Sequence, residues 1–368
     1  MALPIPNFIN RDATTIINEM VADYELRTGR TLEPAQVETL LINAFAYREL
    51  LLRNQIQDAS LQNLVEYARF PMLDHLGVLV GVTRLPAALA QTTLLLTLVS
   101  GHGNVVIPNG LRVSSTDGRA VFELVEDTTV LTGVDTVSAT FIAQTAGKLS
   151  NDYAIGTVSV ILDPQPYLAT AANTDVTVGG SDEEIDEQLR DRIKLAPSAF
   201  SNAGSYKAYE FWAKSTSPLI IDVAVTNPVP GTVEIFPLMA NLATTPNEIL
   251  TAVAAVLNSD KIRPLTDTVI VTSPTSINTA ITVGLILYEG TVQSDIVPVV
   301  ISNLEAFRDG RRKLLGQDIV IDQIKALCMI EGVYKSNVTV PASDLVISET
   351  EFANITAINV TVTGTNIG

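Results

Sequence analysis

Between Pro34 and Phe70 the chain has neither glycine nor internal proline, and its apolar residues recur at steps of three and four. Val37, Leu40, Ala44, Tyr47 and Leu51 make a heptad-like stripe, the spacing of one helix face. Leu41, Phe45 and Leu52 widen it, while Glu49 and Arg53 stand four apart in the favourable order for an ion pair. A second run through Leu61, Leu64 and Ala68 ends before Pro71. Residues 1–85 therefore read as helical. Two readings fit the stripe: a helical hairpin packing on its own domain, or a helix contributed to a bundle with other chains. Little else in the segment looks able to cover so wide an apolar face, which tilts the balance toward the bundle. Val37, Leu40, Ala44, Tyr47 and Leu51 are thus the candidate partner-binding residues.

At Pro86 the pattern changes. Short runs rich in Val, Thr, Ile and Leu alternate with glycine and proline up to Gly180. Thr92–Val99, Asn104–Ile107, Leu111–Ser115, Val121–Val125, Val137–Ala143 and Thr157–Leu162 read as strands. Pro108-Asn109-Gly110 and Thr116-Asp117-Gly118 are the clearest turns, since glycine supplies positive φ at no steric cost. Such closely spaced strands predict a sandwich or barrel-like domain.

Past Gly179-Gly180 helices return between strands. Ser181-Asp-Glu-Glu184 has the form of a capping box, with Ile185, Leu189 and Ile193 on one face of a helix ending before Pro197. Further helices are expected over Ser205–Ser215, from a second capping box at Thr245-Pro-Asn-Glu248 to about Asn258, and near Ser294–Phe307 and Ile319–Ile330. Strands are expected at Leu219–Thr226, Thr232–Leu238, Thr268–Thr272 and Ser276–Tyr288, then on to the end. The reading is a multidomain α+β protein: a helical segment (1–85), a central β-sandwich-like domain (86–178) and two small C-terminal α+β domains (179–268 and 269–368).

Composition narrows the function by exclusion. A 47 % hydrophobic content with 17 % charged residues is enough to build cores, which excludes wholesale disorder. A single cysteine, Cys328, excludes a disulfide scaffold, and two histidines exclude a histidine-rich metal site. The net charge of −17, with no basic stripe, argues against contact with nucleic acid or an anionic membrane. The first residues carry two prolines and no apolar core of a secretory signal, and the greasiest windows fall well short of the ~18 residues of a membrane span. Folding in the cytoplasm is expected.

No chemistry-bearing constellation emerges. The acids Asp182, Glu183, Glu184, Asp186, Glu187 and Asp191 lack the alternating ligands of a calcium loop and suit the start of a helix. Glu183 stands where the closing glycine of a nucleophile elbow would be, after Gly179-Gly180-Ser181. His75 and His102 read as loop or packing histidines and Cys328 as a core residue. No Walker motif, dinucleotide fingerprint or zinc spacing is present. The expectation is no catalytic residue, no cofactor and no metal. A carboxylate pair for glycan hydrolysis stays open, because forty acids exist and their placement in space is invisible.

The order of elements nevertheless resembles one family. Arg27–Ala87, with its Ala46-Tyr47-Arg48 and Leu73-Asp-His-Leu-Gly77 elements, resembles the helical head of baseplate J-like proteins of contractile phage tails and related tail-derived particles. Val105–Leu124 resembles the family's β domain; Val178–Pro197 followed by Asn202–Ser215 resembles its most characteristic element. Ile262–Val271, Glu331–Ile347 and the last alternating strand complete the series. Leu149-Ser-Asn-Asp152 departs from the family, which commonly has glycine before the asparagine. The resemblance implies a structural wedge protein in the tail baseplate of a virion. Two copies would join a different wedge protein through a helical bundle, and C-terminal domains would pair to close a six-fold ring around the hub. Its partners would be a second copy of itself, other wedge proteins, and hub and sheath-proximal proteins. A tail-associated cell-wall glycan hydrolase and an adhesive receptor-binding tail protein are the alternatives.

Overall fold

The computed structural model describes residues 4–200, 205–242, 244–259, 262–264 and 266–367. Two compact units are present, one of residues 1–83 with 189–193 and one of 84–188 with 194–368.

In the first unit α1 (Ala13–Thr28) opens on Asp12, whose carboxylate accepts from Thr15 N at 2.7 Å, and closes on Gly29. α2 (Val37–Leu61) packs on α1, with Ile16 and Ala46 buried. Gln57, also buried, ties the preceding chain to α2: it accepts from Phe8 N (2.9 Å) and donates to Pro6 O (2.7 Å). The helical run expected through Leu64 and Ala68 is not one helix. Residues 62–67 are turns, and a separate α3 (Met72–Leu79) follows Pro71.

The second unit begins with six strands: β1 (Gln91–Leu98), β3 (Arg112–Ser115), β4 (Val121–Leu124), β6 (Thr136–Ala143), β7 (Val158–Ile161) and β8 (Leu168–Asn173). They form a sheet in the order β7-β3-β4-β6-β1-β8, while β2 (Val105–Ile107) and β5 (Thr128–Val130) make a separate pair. The sheet curls until its edges meet. The buried Asn173 accepts from Val158 N (2.9 Å) and donates to Ala154 O and Asp175 O, so β7 and β8 almost close a barrel. Phe122, Phe141, Leu94, Leu96 and Val113 fill its core.

Two α+β modules follow. In the first, α5 (Tyr206–Lys214) and α6 (Asn247–Leu257) accompany the three-stranded sheet β11-β10-β9 (Thr268–Val271, Thr232–Met239 and Ile220–Val229), after α4 (Asp186–Leu195), whose residues 189–193 belong to the first unit. Ser205 caps α5, accepting from Ala208 N. In the second, α7 (Gln293–Arg312) and α8 (Ile321–Cys328) cover one face of β13-β12-β14 (Val333–Val340, Thr275–Tyr288 and Glu351–Asn366). β12 is central, antiparallel to β13 and parallel to β14.

Both expected capping boxes are absent. Ser181 lies in extended chain bridged to Ala88, and its hydroxyl accepts from Ala88 N (3.3 Å); Glu184 accepts from Leu85 N (2.9 Å). α4 starts only at Asp186, so Ile185 is exposed while Leu189 and Ile193 are buried. At the other site Thr245 donates its hydroxyl to Pro237 O (2.8 Å), and Pro246 is the residue before α6 rather than its first helical position. In each case the side chain that would cap a helix bonds a backbone group elsewhere in the chain instead.

Candidate partner-binding surface

α2 is unusual in which of its faces is covered. At about 100° per residue, Ala46, Arg53 and Gln57 fall together, on the side turned to α1. Arg53 bonds Glu49 (2.8 Å) and Asn10 O (3.1 Å) and lies 3.5 Å from Glu19. The most deeply buried residues of this side, Ala46 and Gln57, are small or polar, and the apolar Ile42 and Leu50 beside them are only half-buried. The opposite side, roughly half of the circumference, carries the apolar residues. Val37 is 68 %, Leu40 60 %, Tyr47 61 % and Leu51 39 % exposed, and Ala44 is exposed with them. The structure thus places all five stripe residues on one continuous outward face.

Leu41, Phe45, Leu52 and Ile56 widen this face and are also exposed. Beyond Ile56 it turns polar, and a groove of about 630 Å³ lies between Leu51, Gln55, Asp58, Gln62 and Met72. A second group, Phe70, Val78 and Leu79, is exposed around α3. Sequence reading did not single it out, although the run Leu76-Gly-Val-Leu-Val80 was its signal. Covering apolar surface of this kind is favourable by about 25 cal/mol per Å².

The residues considered for chemistry are dispersed. Asp182 accepts from Lys148 N (3.1 Å) and pairs with its ammonium (3.2 Å), contacts that hold its carboxyl below the usual carboxylate range. Asp186 pairs with Arg84 (2.7 Å), Glu184 turns inward to Leu85, and Glu183, Glu187 and Asp191 are exposed. Among the described residues no three His, Cys, Asp or Glu are grouped to hold a metal ion, and no helix is long and apolar enough to cross a membrane. His75 is exposed on α3, and His102 faces Gly103 O (2.6 Å) and Val134 O (3.1 Å) in its loop. A groove of about 560 Å³ brings two carboxylates, Glu210 and Glu349, to one lining. Glu210 is already paired with Lys214 (2.8 Å), and Glu349 is exposed.

Cys328 is buried in the C-terminal core, and burial pushes its thiol up to about 11. The thiolate is the reactive form. The folded chain should therefore resist a thiol-specific reagent at pH 8 and react once denatured. Stoichiometric labelling of the native chain would contradict the placement of α8.

The loop that departs from the family pattern is well determined by its contacts. Asn151 brackets Gly180, accepting from its N (2.8 Å) and donating to its O (2.7 Å). The following Asp152 takes a left-handed φ of 63°. This clamp holds Gly179-Gly180 against the end of the near-barrel.

Comparison with known proteins identifies the family. Four models of one family match in chain order: the baseplate J-like N-terminal domain at residues 36–90, the barrel domain at 93–180, the central domain at 201–273 and the C-terminal domain at 279–361. The chain belongs to the baseplate J-like family. Over 184 residues it is 31 % identical to baseplate protein J of Escherichia phage P2, covering 50 % of this chain and 61 % of that protein. The match thus spans about three fifths of that relative's length. A chain in the six-fold symmetrised cryo-EM structure of the anti-feeding prophage baseplate aligns with a TM-score of 0.44 at 11 % identity, over 94 % of this chain and 90 % of that one. Family membership and the phage P2 likeness support a baseplate component.

Proposed function

We propose that the chain is a non-enzymatic wedge component of a contractile-tail baseplate, assembled in the host cytoplasm. In this reading the outward face of α2 is buried in a helical bundle formed with a second copy of the chain and a different wedge protein. Residues 269–368 act as a C-terminal domain that pairs with its neighbour to close a six-fold ring around the hub. One observation carries the proposal: the large apolar residues of α2 from Val37 to Ile56 are mostly exposed on one face, while its most buried residues are Ala46 and Gln57. A helix that packed only within its own chain would have the opposite distribution. Affinity purification of the tagged chain from producing cells, followed by mass spectrometry, tests the assignment. Recovery of a second tail protein at one copy per two of this chain is expected, and recovery of the chain alone would contradict it.

The groove at Glu210 and Glu349 is the one feature that favours the glycan hydrolase instead. Zymography on peptidoglycan separates the two readings. A cleared zone that Glu349→Gln abolishes would establish the hydrolase; no clearing is expected.

A further inference from the structure

The two edges of the C-terminal sheet are built differently. β13 is short, carries Lys335 and is followed directly by Pro341, the features that keep an edge strand from pairing with another chain. β14 is twice as long, and from Phe352 to Asn366 it has no charged residue and no proline. Its composition is that of the central strand β12, yet among the described residues it pairs with β12 alone. Two bulges interrupt it: Thr356 and Thr363 have no partner in the register, and their hydroxyls donate back to Thr279 O (3.0 Å) and Leu285 O (3.1 Å). The run between them, Ala357–Val362, is regular. Within it Ile358, Val360 and Val362 face the C-terminal core and are only half-buried, while Ala357, Asn359 and Thr361 are exposed.

We infer that the run Ile358–Val362 pairs antiparallel with the same run of a second copy, about a two-fold axis at Val360. Directly opposite residues of an antiparallel pair share a face. A centre at Val360 sets Val360 against its counterpart, Ile358 against Val362, and Asn359 against Thr361. The half-buried apolar row then continues across the axis and is covered, and the exposed row meets as small uncharged polar pairs. A two-fold contact needs a self-complementary surface. With a net charge of −17, two copies approach most readily along an uncharged strand. Five residues from each copy supply about four or six main-chain hydrogen bonds, the low end of the roughly 10 ± 5 of an ordinary interface. The pair is therefore a weak contact that a larger assembly consolidates. It gives the ring-closing reading above a specific contact, and it rests on that reading for its place in the baseplate.

Cysteine cross-linking of the purified full chain tests the register. Opposite Cα atoms are about 4.5–5.5 Å apart, within disulfide reach, and the native Cys328 is buried. Under mild oxidation Val360→Cys should form a disulfide-linked dimer at least tenfold faster than Thr361→Cys, which is exposed but offset from its own counterpart. A mixture of Asn359→Cys and Thr361→Cys chains should give the mixed dimer in preference to either homodimer, an arm that holds even if Val360→Cys perturbs folding. Equal rates at 360 and 361, or no preference in the mixture, would overturn the inference. So would cross-linking of Cys at 360 to a different protein in assembled particles. If neighbouring C-terminal domains are joined in assembled baseplates but Val360→Cys does not cross-link, the strand pairing is wrong and the ring reading stands. If the purified chain cross-links but C-terminal domains lie apart in the baseplate, the strand pairing stands and the ring reading is wrong.

Discussion

Changing Leu40 and Leu51 together to Asp will leave residues after Pro86 folded and will abolish co-assembly with the partner wedge protein. Both side chains are on the outward face of α2, at 60 % and 39 % exposure, so neither substitution buries a charge in the isolated chain. A fully buried leucine contributes roughly 1.5–3 kcal/mol. Two in one seam are worth several decades in an association constant, before the cost of carboxylates trapped in an apolar interface. The double variant should also aggregate less, because it no longer exposes an apolar stripe without a partner. Co-expression with the partner, followed by size-exclusion chromatography, reads the first effect; circular dichroism and a thermal melt check folding. Normal assembly of the variant would mean the face is not an interface. Unfolding of the whole chain would mean it belongs to an internal core.

The second large effect is expected at Gly180. A Cβ there would lie 2.5 Å from Gly147 O, 2.9 Å from Asn151 Oδ1 and 3.1 Å from Ala90 Cβ. Two of these neighbours are held in place: Gly147 N donates to Ala88 O (3.0 Å), and Asn151 makes the two-bond clamp. Relief requires moving backbone at the end of the near-barrel, so Gly180→Ala combines overpacking of about 1–3 kcal/mol with lost hydrogen bonds of about 1 kcal/mol each. A loss of about 3 kcal/mol lowers the melting midpoint by roughly 5 °C or more. Gly103→Ala is the matched control, since nothing lies within 4 Å of a Cβ at that position. It should change stability by less than about 0.5 kcal/mol. Equal melting of the two variants would contradict the clamp.

How far the fold was legible depended on whether local pattern and tertiary demand agreed. The α2 stripe was readable because five residues at helical spacing keep one face whatever covers it. Periodicity could not say which side α1 would take, because the contacts made on that side are distant in sequence, as with Gln57 and the segment before α1, 49 and 51 residues away in the chain. Ser181-Asp-Glu-Glu184 has every residue of a capping box, but Ala88 and Leu85 offer backbone N–H groups that bind the same side chains. Those bonds won, and α4 started later. β8 was missed because Leu168-Ala-Thr-Ala-Ala-Asn173 is rich in alanine, a weak strand former whose place there is set by pairing with β1. β5, three residues long, carries too little pattern to register. The break after Leu61 was hidden because Leu64 and Ala68 keep helical spacing through a stretch that is turns. As for the candidate surface, its five residues were legible as a stripe, whereas the exposed Phe70, Val78 and Leu79 were not, since apolar residues clustered around a glycine read equally well as core.

The most direct test is hydroxyl-radical footprinting of Phe45 and Tyr47, compared between the isolated chain and the assembled baseplate. Both rings are more than half exposed in the single chain, at 65 % and 61 %, and both lie on the outward face of α2. If that face is the seam of a helical bundle, oxidation of both should fall at least fivefold on assembly, while the exposed Leu149 stays as reactive as before. Undiminished oxidation of Phe45 and Tyr47 in intact baseplates would contradict the bundle.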